Sequence, residues 1–418
     1  MTKENNIYKL SEIGTIIGGA TPSTIVDEYY GGDIPWITPK DLSIFYGRYI
    51  ERGERNITQK GLDSCSAQLL PAGSVLFSSR APIGYVAIAK NPLATNQGFK
   101  SVIPDKKKVD SLFLYYLLIY NKHKIEALGS GTTFKEVSGT IMRNVEITLP
   151  ALEEQKRIAN ILSVLDDKIE LNRRINENLE QQAQALFKHW FVDFEFPNAE
   201  GKPYKSAGGN LVDSELGAIP EGWKVGQLAD ICEIVGGGTP SKSQKEYFTP
   251  KDIAWITPKD LSNTKYKFIS KGETKISKLG YNNSSAKLMP RGSVLFSSRA
   301  PIGYVAIAQN SLCTNQGFKS AIPTIAGTAY LYYYLKEHTP EIESKASGST
   351  FKEASGSLMK SLSTVIPPQK VLNAFEHLIQ PIFDKQEQNE NENKRLVELR
   401  DTILPKLMNG EISFNNVI

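Results

Sequence analysis

Read from Ile158 in alternating steps of four and three, the chain places Ile158, Leu162, Leu165, Ile169, Asn172, Asn176, Leu179, Ala183, Leu186 and Trp190 on one seam. An a/d seam sustained this far, without proline or glycine inside it, predicts a coiled-coil helix from about Ala151 to Phe191. Adding 217 to each number gives a second seam: Phe375, Ile379, Ile382, Gln386, Asn389, Asn393, Leu396, Arg400, Ile403 and Leu407. Both seams are apolar at the ends and polar in the middle, with two asparagines in the same register. A helix with one apolar stripe must bury it, and the expected partner is the other copy.

The rest of the chain is duplicated as well, which excludes a short-period solenoid. Ser74–Ser101 and Ser293–Ser320 agree at 25 of 28 positions, differing only at Lys90/Gln309, Pro92/Ser311 and Ala94/Cys313. Around them, GGATPS (18–23) recurs as GGGTPS (236–241), WITPKDLS (36–43) as 255–262, and SGTTFKE (130–136) as SGSTFKE (347–353). The order is therefore globular unit, long helix, globular unit, long helix.

We expect an α+β fold: two globular α/β units joined by a two-helix antiparallel coiled coil, with an internal pseudo-two-fold. The boundaries are 1–150 for the first unit, 151–193 for the central helix and 194–217 for a linker. The second unit takes 218–367, the C-terminal helix 368–410 and a tail 411–418. Within the first unit, Ser74–Phe77 and Gly84–Ala89 read as strands flanking Arg80, and Ser111–Leu128 as one helix. The linker is dense in proline and glycine and reads as an irregular tether without a core. If the helices pair antiparallel, Asn172 and Asn176 meet Asn389 and Asn393, a polar layer that costs stability and fixes register. At about 1.5 Å per residue such a helix spans about 60 Å, a rigid spacer.

Charge divides unevenly. Residues 1–150 carry 17 Lys+Arg against 14 Asp+Glu, and residues 218–367 carry 18 against 11, while the helices and linker are acidic. A polyanion is drawn to the globular units and not to the helices. Cys65, Cys232 and Cys313 lie far apart with no CxxC spacing, as expected of thiols in a reducing cytoplasm. MTKENNIYKL has no apolar run, so no secretory leader is expected. The longest apolar stretch, Leu112–Tyr120, is too short for a bilayer, so no membrane role is expected.

No catalytic constellation repeats. The four histidines show no metal-ligand spacing, and neither a dinucleotide nor a triphosphate cradle is present. Asp193, Glu200 and Lys202 echo a nuclease-like trio, but they sit in the linker without a copy in the tail. What repeats is polar and loop-borne: Thr21, Ser23, Lys40, Arg80, Asn96, Gln97 and Lys135, with Thr239, Ser241, Lys259, Arg299, Asn315, Gln316 and Lys352. Arginine pairs with guanine and asparagine or glutamine with adenine, while Lys, Ser and Thr near glycine suit phosphates. Each loop alone also reads as a satisfied turn, and Arg80 equally as half of a structural ion pair. Ten such loops on two basic units favour DNA readout.

These phrases resemble the specificity (S) subunit of type I restriction-modification systems over essentially the whole chain. They are GGATPS/GGGTPS, IPWITPKDL/IAWITPKDL, FSSRAPIGYVAIA twice, TNQGFK twice, SGTTFKEVSG/SGSTFKEASG, and LGAIPEGW before the second unit. The first unit lacks that last lead-in. The resemblance implies two target recognition domains, each reading one half of a split double-stranded DNA target, with the helices setting the gap. It implies a non-catalytic cytoplasmic subunit that docks two adenine methyltransferase subunits through its helices, with restriction subunits added in the full complex. S-adenosylmethionine, ATP and Mg are then expected on those partners, and no cofactor or metal on this chain. Because the shared phrases recur across the family, they imply phosphate contact and scaffold, leaving base choice to divergent stretches such as 24–32 and 44–60. The similarity of the two domains predicts half-sites that partly resemble each other as inverted repeats. The alternative is a coiled-coil interaction scaffold without a DNA role.

Overall fold

The computed structural model describes residues 6–131, 135–264, 266–348 and 352–412. It divides into two compact units: residues 1–171 with 393–418, and residues 172–392. Each long helix, Leu152–Phe191 and Gln369–Met408, therefore gives one half to each unit.

In the first unit, strands β1 (Asn6–Lys9), β2 (Gly14–Gly18), β3 (Tyr30–Ile37), β4 (Tyr49–Ile50) and β5 (Arg55–Ile57) precede β6 (Val75–Phe77). After it come β7 (Val86–Ala89), β8 (Ala94–Thr95), β9 (Lys100–Pro104) and β10 (Glu146–Leu149). A five-stranded sheet runs in the order β2-β9-β6-β7-β4, a three-stranded sheet in the order β5-β3-β8, and β1 pairs with β10. The predicted hairpin around Arg80 is β6 and β7, antiparallel with Val75 opposite Ile88. Alternation along β6 explains why this strand is apolar throughout. Val75 and Phe77 enter the core that holds the long-helix residues Ile158, Leu162, Leu404 and Leu407. Leu76 enters a separate core with Ile37, Leu42 and Phe99 on the other side.

Where one helix was expected over Ser111–Leu128, the chain forms two, Ser111–Tyr120 and Lys122–Ala127. Asn121 ends the first and begins the second, its side-chain amide donating to Leu117 O at 2.9 Å. An asparagine that bonds back to the preceding turn competes with helix continuation, which accounts for the break.

The second unit opens with a feature that the first does not show among the described residues, an antiparallel hairpin of β11 (Leu211–Ser214) and β12 (Gly217–Pro220). Then β13 (Lys224–Gln227), β14 (Cys232–Gly236), β15 (Phe248–Ile256), β16 (Phe268–Ile269), β17 (Lys275–Ile276) and β18 (Val294–Ser298) follow. The last strands are β19 (Ile302–Ala308), β20 (Cys313–Thr314), β21 (Lys319–Pro323) and β22 (Ser363–Ile366). The sheets β14-β21-β18-β19-β16 and β17-β15-β20, with the pair β13-β22, repeat the first unit's orders. The segment read as a tether without a core is packed. Phe196 stacks on Tyr204 with centroids 4.6 Å apart and lies 5.0 Å from the Trp223 ring, and Phe196 is buried. Aromatic spacing here outweighs the proline and glycine content.

Both units show the antiparallel pairing of the long helices. In the first, the Asn393 side chain donates to Ile169 O at 3.3 Å and Arg400 donates to Asp166 at 2.8 Å. In the second, Asn172 donates to Glu392 at 2.8 Å, Asn176 donates to Gln386 O at 3.1 Å, and Phe187 lies 6.0 Å from Phe375. Numbers fall on one helix as they rise on the other.

Candidate nucleic-acid interface

Five loops that are distant in sequence converge in each unit. Convergence starts with glycine. A Cβ on Gly19 would stand 2.0 Å from Asn96 O, and one on Gly237 would stand 1.9 Å from Asn315 O. Only a residue without a side chain lets the GGATPS backbone meet the TNQG backbone. The contact is sealed by Ala20 N–H donating to Thr95 O at 3.0 Å, and Gly238 N–H to Thr314 O at 2.9 Å. The neighbouring Thr21 hydroxyl then donates to Gln97 Oε1, and Thr239 to Gln316 Oε1.

The tryptophan strand delivers the third loop to the same place. Asn96 N–H donates to Ile37 O at 2.9 Å, as Asn315 N–H does to Ile256 O at 2.9 Å. Trp36 and Trp255 fasten this strand to the glycine loop, each indole donating to the backbone of residue 20 or 238. Ser79 N–H donates to Gly98 O at 2.7 Å and Val137 N–H to Ser79 O at 2.9 Å, adding the arginine loop and the segment at Glu136–Val137. Ser298, Gly317 and Ala354 repeat both bonds at 2.7 and 2.9 Å. Ala81 and Ala300, immediately after the arginines, adopt φ of +47° and +50°. Side-chain-bearing residues seldom occupy that region, so a strained turn is retained twice beside the same residue type.

Beside Thr21 and Thr239, the predicted residues divide into four groups. Asn96 and Asn315 are turn-makers: each Oδ1 accepts the Gly98 or Gly317 N–H at 2.9 Å, which spends one of its two lone pairs on the loop. Arg80 and Arg299 are half-exposed and shared. Arg80 stands 3.7 Å from Glu136, whose other oxygen meets Lys100 at 3.3 Å; Arg299 and Lys319 meet Glu353 at 3.3 and 3.0 Å. Each trio keeps one net positive charge at the surface. Lys40 and Lys259 pair with Glu54 and Glu273 at 2.7 and 2.9 Å but stay 75% and 68% exposed, so a phosphate can replace the carboxylate at little cost. Ser23, Ser241, Gln97, Gln316, Lys135 and Lys352 are exposed. Of the SGTTFKE and SGSTFKE phrases, residues 132–134 and 349–351 lie outside the described residues, as does tail 413–418.

Sequence reasoning missed the residue that holds the TPKD loop. Asp41 is buried, accepting from Thr38 N–H at 2.7 Å, Thr38 Oγ1–H at 2.6 Å and Glu54 N–H at 2.8 Å. Asp260 repeats this with Thr257 and Glu273 at 2.8, 2.6 and 2.7 Å. The available signal was T-P-K-D itself, a threonine cap answered three residues later by a carboxylate. Glu136 and Glu353 were likewise inside the quoted phrases, but their pairing with Arg and Lys from other loops is a long-range fact. Asp193, Glu200 and Lys202 form no site: Lys202 pairs with Glu200 at 2.9 Å on the surface, and among the described residues no group of three metal-binding side chains occurs.

The type I restriction modification DNA specificity domain matches twice, over residues 2–181 and 220–400. The chain belongs to the type I restriction-modification specificity-subunit family. It is 37% identical over 425 residues to the MjaIX specificity subunit of Methanocaldococcus jannaschii, covering 98% of this chain and 94% of that one. It is 30% identical to the HindI specificity subunit of Haemophilus influenzae, covering 84% and 89%. The crystal structure of the S subunit from M. genitalium shares the fold, with a TM-score of 0.58 at 16% identity over 97% and 96% of the two chains. The two matches correspond to two target recognition domains, and each holds one of the converged loop clusters. No helix among the described residues is long and apolar enough to cross a membrane.

Proposed function

We propose that this chain gives a type I restriction-modification enzyme its DNA sequence specificity by reading a bipartite, gapped target, one half with each recognition domain. The observation that carries the reading is the duplicated convergence of five polar loops, each cluster holding a half-exposed arginine and a loosely paired lysine. Such groups grip phosphates, fix register and leave base choice to the divergent stretches 24–32 and 44–60 and their counterparts. The helices set the gap between the halves.

The chain contributes recognition without chemistry of its own. Two adenine methyltransferase subunits dock on the helices and carry S-adenosylmethionine; restriction subunits bring ATP and Mg. A duplicated exposed apolar patch supports paired docking. Ile161 and Val164 are 39% and 64% exposed on the first long helix, and Leu378 with Pro381 holds the same register on the second, also exposed. Exposed apolar side chains on an otherwise polar helix face are what a protein partner covers. The work is cytoplasmic, where the DNA is.

Single-molecule methylome sequencing of cells expressing this chain with its methyltransferase subunit tests the reading. A gapped motif with N6-methyladenine on both strands is expected, its halves resembling each other in inverted orientation. A stable complex that methylates no motif would refute it.

A further inference from the structure

Beside the apolar core, each recognition domain meets its helix pair through a largely buried cation, occupied differently in the two copies. Arg48 and Lys267 correspond, since their carbonyls accept Ile88 N–H and Ile307 N–H alike at 2.7 Å. Arg48 reaches the first long helix, donating to Ser163 O at 3.0 Å and to Asp167, and lies 3.8 Å from Asp166. Asp166 also accepts Tyr116 O–H at 2.6 Å and is bound at 2.8 Å by Arg400 from the second long helix. The acid's second cation here belongs to the helices.

The other copy reverses that. Lys267, only 6% exposed, pairs with Glu180 and donates to Gln386 at 2.7 Å, with the Tyr332 and Phe383 rings 4.6 and 4.3 Å away. Glu180 takes its second cation from the domain, Lys336 at 2.6 Å, and accepts Tyr333 O–H at 2.9 Å.

The internal repeat lines up these positions one by one. With the offset of 217, Lys336 answers Ile119 and Arg400 answers Ala183. Asp166 answers Phe383, Ile169 answers Gln386, and Val397 answers Glu180. So the carboxylate that pairs with the cation's side chain lies on the first long helix in both units but at non-equivalent places; in the second unit Glu390 of the other helix also accepts Lys267 and Phe268 N–H at 2.8 and 3.0 Å. A cation is present on the domain where the helix has alanine, and on the helix where the domain has isoleucine. We propose that the two helix seats are charge-keyed, so that each recognition domain is accepted only by its own seat, with Arg48 and Lys267 as the positioning residues. A domain moved to the other seat leaves a buried charge without its partner, which costs far more than an intact pair contributes.

The test uses two full-length chains and one set of four substitutions. The first chain carries a second copy of residues 218–367 in place of 1–150; the other is the natural chain. Asp166→Phe, Ile169→Gln, Val397→Glu and Arg400→Ala give the first seat the four keyed side chains of the second. The same four changes should lower the melting temperature of the natural chain by roughly 5–10 °C and raise that of the two-copy chain by a similar amount. A shift of the same sign in both chains overturns the proposal. If the two-copy chain does not fold even with the matching seat, the natural chain still decides. Lys336→Ile should lower its melting temperature while Lys336→Arg restores it, and an unchanged melt for Lys336→Ile overturns the key.

Discussion

Asn389 donates its side-chain amide to the Asn176 oxygen at 2.8 Å, one asparagine from each long helix meeting inside the second unit. Asn389 is almost wholly buried. Amides in a seam hold alignment at the expense of stability. Replacing both by leucine should raise the melting temperature by about 2–4 °C and weaken register, read as broadened inter-helix distances between spin labels. A lower melting temperature with unchanged distances would show that the layer is a net stabiliser.

Glu180 gives the clearest pH dependence. Burial alone would raise its carboxyl, but the Lys267 and Lys336 charges and their hydrogen bonds hold it at about 2. A carboxyl lowered by folding contributes stability above its ordinary value, and that contribution is lost as pH falls from about 4.5 towards 2. Glu180→Gln should cost on the order of 2–3 kcal/mol at pH 7. Denaturant melts of the two chains should converge as pH approaches 2; a constant gap would contradict the assignment.

Arg80→Ala should weaken DNA binding equally on specific and unrelated sequences and lower the salt slope by roughly one. Competition binding over a salt series reads both. Relaxed choice at a single base would instead make Arg80 a base reader. Arg299→Ala should behave alike in the other unit.

Asp41→Asn removes the charge from three hydrogen bonds that anchor the TPKD loop. A loss of about 1–3 kcal/mol is expected. Asp260→Asn should match it within error, because its three distances are the same to about 0.1 Å. Chemical denaturation of both variants checks this.

Val164→Glu and Leu378→Glu place a charge in the exposed apolar patches. With two methyltransferase subunits docked as proposed, each change alone should reduce the number bound per chain towards one, and both together should abolish binding. Native mass spectrometry of the co-purified complex counts the subunits.

How far the sequence could be read followed the range of the interactions. Heptad spacing is local, and the two α/β units with their antiparallel helix pair were legible from it together with the repeat. The hairpin around Arg80 was legible for the same reason. Asn96 was legible only as two alternatives, adenine reader or turn, and its oxygen accepts the N–H of Gly98 two residues on, as the Asn-x-Gly pattern of a turn requires. Arg48 and Lys267 were invisible, being different residues in a divergent stretch whose helix partners lie 87 or more positions away. The linker misled by composition: its prolines and glycines are real, yet Phe196, Tyr204 and Trp223 pack regardless.

Gly19 and Gly237 each lie where an added methyl group would collide with a carbonyl oxygen, whereas Ile25, a few residues on, is 90% exposed. A germline change at either glycine breaks the junction of the loops, while a change near Ile25 meets only solvent. Inheritance therefore treats the two places differently. The junction tolerates almost no change, and the stretch beside it can vary freely; on the proposed reading, a lineage can thereby acquire a new target without first losing a folded protein.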